Sequence, residues 1–127
     1  MTEVVLDTSA VIAVFKGEPG WRDVAPLMSG ARVSSLNVAE IALWFVRLGM
    51  PVERVAAEVE ALKFATAEFD QRRAIVTADL WRRTRHRGLS LADRACVALG
   101  LELQLPVITA DRVWRDLDLG VEIRLIR

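Results

Sequence analysis

The chain has 127 residues and a mass of 14.2 kDa, enough for one domain with a core of its own. Hydrophobic residues make up 53% and charged residues 27%, which excludes a disordered or low-complexity chain. Lys plus Arg equals Asp plus Glu at 17 each, so nothing in the net charge supports coating nucleic acid by bulk electrostatics. The single cysteine, Cys96, excludes a disulfide framework and a cysteine-rich zinc site. The longest apolar run, around Ile41 to Val46, is far too short to span a bilayer, and the first residues carry no secretory-signal pattern. The expectation is a soluble, cytoplasmic protein with no membrane partner, folded as a single domain over residues 1–127.

Val4-Val5-Leu6 opens the chain as a short β-branched strand. Asp7-Thr8-Ser9 follows, then helical character from Ala10 to Phe15, then the punctuation of Gly17, Pro19 and Gly20. Trp21 to Met28 suits a short helix interrupted by Pro26, and Arg32-Val33-Ser34 a second strand. Asn37 to Leu48 predicts a helix stopped by Gly49 and Pro51; it is apolar nearly all round and so buried or covered by a partner. Val52 to Leu62 predicts another helix, with a brief third strand within Phe64 to Phe69. Asp70 to Arg87 reads as one helix ending at Gly88, and Ser90 to Gln104 as a further helix stopped by Pro106. Val107-Ile108-Thr109 is a strand, Asp111 to Leu117 a short helical turn, and Val121 to Leu125 alternates as an edge strand does. Strands and helices interleave throughout, which predicts an α/β sandwich around a mainly parallel sheet.

Four acidic residues share a placement. Asp7 follows the first strand, Asp111 follows the strand Val107–Thr109, and Glu40 and Asp93 lie in the first turns of their helices. In an open α/β sheet these positions face one edge, where ligands bind. Each residue also suits a plain capping role: Ser90 to Asp93 and Asn37 to Glu40 have the form of capping boxes, and Asp7 and Asp111 are natural N-caps. Convergence would change that reading. Two unit charges 4 Å apart repel by ~4 kcal/mol at an effective dielectric near 20, so a cluster of four calls for protons or a divalent cation. An all-carboxylate site suits a hard ion such as Mg²⁺ or Mn²⁺, which commonly binds phosphates and activates water.

Val4-Val5-Leu6-Asp7-Thr8-Ser9-Ala10 resembles the opening of a PIN domain, Asn37-Val38-Ala39-Glu40-Ile41 its second acidic motif, Leu89 to Ala95 its third and Val107 to Asp111 its fourth. Order, spacing and flanking residues agree over essentially the whole chain. The length is most similar to VapC-type toxins of bacterial toxin–antitoxin pairs. The resemblance implies a three-layer α/β sandwich on a five-stranded parallel sheet and a Mg²⁺- or Mn²⁺-dependent endoribonuclease that cuts RNA with metal-activated water. It implies Asp7 and Asp93 as metal ligands, Glu40 as a ligand directly or through water, and Asp111 as the least strict fourth position. Thr8, Ser9 and Thr109 match polar positions beside the site. Asp116 is a rival for the fourth role, expected to be a solvated helix residue. A cognate antitoxin is the implied partner, with operator DNA reached only through it. The surplus apolar surface of the Asn37 and Val52 helices suits an antitoxin groove and a homodimer seam.

Other features carry two readings each. Arg82, Arg83, Arg85 and Arg87 form one strongly basic spot, either a grip on RNA phosphates or a solvated helix end. Arg94 and Arg112 lie nearer the acidic residues in sequence and suit a substrate phosphate or a neighbouring carboxylate. His86 has no nucleophile-elbow sequence to serve, and Cys96 sits on an apolar helix as a core residue. Trp21, Trp44, Trp81 and Trp114 suit core or interface, and an exposed one could stack on a base. A signalling receiver domain would need adjacent acids after the first strand and a lysine after the fifth, whereas only Lys16 and Lys63 are present. An aspartyl-phosphate phosphatase would need an acid where Ser9 stands. A non-catalytic RNA- or partner-binding module with the same fold remains the alternative.

Overall fold

The computed structural model describes residues 3–127. Five short strands, β1 (Val5–Leu6), β2 (Arg32–Ser34), β3 (Ala65–Ala67), β4 (Val107–Thr109) and β5 (Ile123–Leu125), form an all-parallel sheet in the order β3-β2-β1-β4-β5. Val5 pairs with Arg32 on one side and Val107 on the other, and Val107 pairs in turn with Ile123. The chain leaves β1 in one direction to β2 and β3 and later returns to its other side as β4. The strand order therefore reverses between β1 and β4, where open α/β sheets leave a crevice at the strands' carboxyl ends.

The pleat assigns the first strand's side chains to two cores. Val4 and Leu6 pack with Val11, Val24, Ile41, Phe45 and Val55 on one face, while Val5 packs with Leu80, Cys96, Val97 and Trp114 on the other. The first layer is built by α1 (Thr8–Lys16), α2 (Trp21–Val24), α3 (Ser35–Arg47) and α4 (Val52–Ala61). The second is built by α5 (Gln71–Asp79), α6 (Trp81–Thr84) and α7 (Leu91–Leu103). All-parallel strands need both faces covered, and these cores account for the near-continuous apolar runs of β1 and β4. The fold is the three-layer α/β sandwich on five parallel strands that the sequence resemblance implies.

Several boundaries differ from expectation, each for a physical reason. The helix expected from Asn37 starts at Ser35, because the Ser34 hydroxyl already accepts the Leu36 N–H as N-cap. Asn37 is thereby an interior helix residue, and its predicted capping box does not form. The helix expected over Asp70 to Arg87 is two helices, α5 and α6, joined at Leu80, with Asp70 outside as the N-cap of α5. Leu80 turns into the second core there, whereas Ala78 and Asp79 just before it are exposed. The Pro26 segment is a four-residue helix followed by a 3-10 turn over Ala25–Leu27. Asp116 is not helical; it occupies a turn at φ +67°. The Ser90–Asp93 capping box forms as read, and Asp111 caps its short 3-10 turn by accepting the Val113 N–H.

Candidate active site

β1 ends at Leu6, and the next residue, Asp7, enters the reversal point with its side chain almost fully buried. It occupies the N-cap position of α1, yet its carboxylate caps nothing. Oδ2 instead accepts from the Ser9 hydroxyl at 2.6 Å and from the Thr109 hydroxyl at 2.8 Å. Thr109 is the last residue of β4 and is itself completely buried, so the two central strands clamp this carboxylate between them. Burial is the main reason the Asp7 carboxyl is pushed up to about 6. The Ser9 and Thr109 hydrogen bonds oppose that shift, and the Asp93 and Glu40 charges add to it.

The helix starts deliver the other carboxylates. Glu40, one turn into α3, accepts from Thr8 Oγ1 at 2.7 Å. Asp93 reaches back to the Ser90 N–H at 2.9 Å in its capping box; burial holds its carboxyl above the usual range, with the Ser90 hydrogen bonds acting the other way. Asp7, Glu40, Asp93 and Asp111 all line one open pocket, together with Thr8, Ser9, Ile12, Glu18 and Arg127. Asp111 is among its lining residues and Asp116 is not.

The carboxylates share a pocket without closing on one point. Among the described residues no three ligating side chains stand close enough to cage an ion as they are oriented. Each is drawn to its own neutral donor: Ser9 and Thr109 for Asp7, Thr8 for Glu40, the Ser90 amide for Asp93 and the Val113 amide for Asp111. Mutual repulsion accounts for that spreading. The donor set nonetheless fits a hard divalent cation: every donor is oxygen, and a buried carboxylate held near 6 by desolvation and like charge gains most from one. Asn37 adds a further sign of fit. It is fully buried, its amide donates to Thr8 Oγ1 at 3.0 Å and Glu40 Oε1 at 3.3 Å and stands 3.5 Å from Asp7 Oδ1, and its own Oδ1 has no partner.

Ile12, Glu18 and Arg127 line the pocket and Asn37 lies buried behind its carboxylates, and the sequence did not single out any of the four for a role at the site. Asn37 carried a signal, three positions before Glu40, but its reading as a cap concealed it. Glu18 and Arg127 carried none, being separated by most of the chain.

The arginines expected to grip RNA, Arg82, Arg83, Arg85, Arg87, Arg94 and Arg112, are not among the residues that line the pocket. Arg94 donates from Nε to the buried Thr84 hydroxyl at 2.8 Å, and neither it nor Arg112 lines the acidic pocket. Arg82 pairs with Asp79 at 2.9 Å, Arg83 reaches the Asp118 carbonyl at 3.5 Å, Arg85 lies over the Trp81 ring, and Arg87 donates to the carbonyls of Arg115 and Asp116. Cys96 is buried beneath the acidic residues, and desolvation pushes its thiol well up, as suits an inert core residue. Trp114 is fully buried, whereas Trp81 is half exposed. No helix among the described residues is long and apolar enough to cross a membrane.

Solved structures share this architecture. A toxin–antitoxin complex from Klebsiella pneumoniae contains a chain with TM-score 0.71 and 18% identity, the match covering 95% of each chain. DNA-bound VapBC from Salmonella typhimurium gives TM-score 0.73 at 18% identity over 100% of both chains. FitAcB from Neisseria gonorrhoeae gives 0.66 at 22% identity, covering 99% of this chain and 98% of that one. At such identities the likeness establishes the fold. No curated protein matches the sequence. A family model described as the PIN domain matches residues 4–119, a stretch that takes in β1 to β4 and all four acidic residues, and by that match the chain belongs to the PIN domain family.

Proposed function

We propose that this protein is a divalent-metal-dependent endoribonuclease and the toxin of a toxin–antitoxin pair, acting as one domain over residues 1–127. The observation that carries the reading is the pocket that Asp7, Glu40, Asp93 and Asp111 line at the strand-order reversal, each held by neutral hydroxyls or amides. Asp7, Asp93 and Glu40 would hold Mg²⁺ or Mn²⁺, with Asp111 at the outer edge. A bound ion would supply charge for the scissile phosphate and acidify a water for in-line attack. The chain's part is preorganisation. Ser9 and Thr109 keep Asp7 in one rotamer, Thr8 and Asn37 keep Glu40 facing the same space, and the capping box fixes Asp93 at the start of α7. Below a pH of about 6 Asp7 retains a proton in the metal-free protein, and an entering cation must displace it.

The antitoxin reading draws on the similar folds, which include VapBC bound to DNA. Exposed apolar side chains favour protein partners: Leu43 and Val46 on α3, Leu48 at its C-cap and Val52 on α4, and Ile75, Val76 and Trp81 on α5 and α6. One such face suits an antitoxin and the other a homodimer seam, with operator DNA reached through the antitoxin. The competing reading is a non-catalytic RNA- or partner-binding module of the same fold, favoured by the fact that no three carboxylates converge. Incubation of purified protein with total bacterial RNA in Mg²⁺, Mn²⁺ or EDTA separates the two. The nuclease gives discrete cuts that need metal and vanish in Asp7→Ala; the binding module gives none under any condition.

A further inference from the structure

The acidic pocket has one cationic lining residue among those described, Arg127. Its position is built. The Ile126 N–H bonds to the Thr109 carbonyl at 3.0 Å, which continues the β4–β5 pairing into this segment. Gly20 lies against the Ile126 backbone so closely that a Cβ would stand 2.3 Å from the Ile126 oxygen, and its φ of +93° also disfavours a side chain. Thr109 is the residue that clamps Asp7, so one strand end sets both the buried carboxylate and the guanidinium at the pocket.

The guanidinium itself is weakly engaged. Its Nη1 donates to the Pro19 carbonyl at 3.4 Å, and Glu18 Oε1 is 3.9 Å away. Glu18 is shared, because its other oxygen faces Lys16 at 3.6 Å. Arg73 shows how this chain commits an arginine for structure: it forms two bonds to Glu102, at 3.1 and 2.9 Å, and a third to the Glu68 carbonyl at 2.7 Å. Arg127 has five N–H donors and, among the described residues, one long hydrogen bond, at the edge of a pocket whose carboxylates would repel an RNA backbone.

We propose that Arg127 is a substrate-binding residue that takes a backbone phosphate of single-stranded RNA beside the one being cut, with Glu18 as the resting partner that the phosphate displaces. The inference rests on the nuclease reading. Phosphate offers a guanidinium a closer, two-pronged partner than Glu18 does, so the long ion pair is exchanged when RNA arrives. Glu18 acts as a competitor for the guanidinium.

The test measures cleavage of a single-stranded RNA by the full chain in Mn²⁺, with KM and kcat determined over a range of salt. Arg127→Gln raises KM about tenfold, with the loss falling mainly on KM, and lowers the slope of log kcat/KM against log salt by about 0.7, the share of one phosphate contact on a single strand. Arg127→Lys recovers part of the loss. Glu18→Gln breaks the same ion pair yet moves KM downward. Arg54→Gln, on exposed α4, sets the effect of net charge alone. Equal effects of Arg127→Gln and Arg54→Gln, or a rise in KM for both Arg127→Gln and Glu18→Gln, overturn the proposal while the nuclease reading stands. A wild-type chain that cuts no RNA overturns both.

Discussion

The acidic pocket and the arginine-rich segment 82–87 each concentrate one sign of charge, and they handle it in opposite ways. The arginines are compensated locally by Asp79, by backbone carbonyls of the 115–118 turn and by the Trp81 ring. The pocket carboxylates are held by hydroxyls and amides that supply hydrogen bonds and almost no opposing charge, and Asp7 is buried besides. A charge cluster that answers its own charge is accounted for within the fold. A buried one held by neutral donors retains an affinity for something outside the chain.

The largest expected effect breaks the comparison at its acidic end. Asp93→Asn keeps the capping geometry but removes a charge, and should lower metal-dependent RNA cleavage by more than about 100-fold, beyond the cost of losing an outer hydrogen-bond partner. Undiminished turnover would show that the pocket charge is not used.

Next comes stability in EDTA. Asp7 is held protonated to about 6 in the fold, against an ordinary value of 3.8. As pH rises from about 4 to 6 the unfolded chain releases this proton before the folded one does, so the contribution of Asp7 to stability falls across that window and stays low above it. Metal-free Asp7→Asn should therefore be more stable than wild type at pH 7 by about 2–3 kcal/mol, with the difference shrinking toward pH 4. Denaturant unfolding at pH 4.5 and 7 reads this directly, and a pH-independent difference would sink it.

Thr109→Val sharpens the contrast at intermediate size. The substitution keeps the shape but deletes a donor to a buried carboxylate, so it should cost about 1–2 kcal/mol and push the Asp7 carboxyl higher still. Its titration can be followed by carboxyl NMR in EDTA. The smallest effect belongs to the arginines. Arg87→Ala loses two exposed bonds to the carbonyls of Arg115 and Asp116, which predicts under about 1 kcal/mol of destabilisation and faster proteolysis in that turn. Unchanged proteolysis combined with a large loss of RNA affinity would reverse the structural assignment of this run.

Much of the fold was legible because its signals are local. Val4, Val5 and Leu6 alternate between two cores, and the Ser90–Asp93 box announces α7 in four residues. The acidic positions were legible for a related reason: each follows a strand or opens a helix, and parallel topology gathers such positions at one edge. The remainder depended on distance in sequence. Asn37 read as a cap because Ser34, the true cap, also reads as the end of a strand. The break at Leu80 comes from burial of that side chain in a core assembled by residues up to Leu119. Arg127 meets Glu18 only after the whole sheet has formed.

The most direct test of the central claim is a calorimetric titration of Mn²⁺ into the purified chain at pH 7 and pH 5, beside Asp7→Asn. The account predicts binding at pH 7, about tenfold weaker at pH 5 because Asp7 must first lose its proton, and no comparable binding by Asp7→Asn. Equal Mn²⁺ affinity in wild type and Asp7→Asn at both pH values would contradict it.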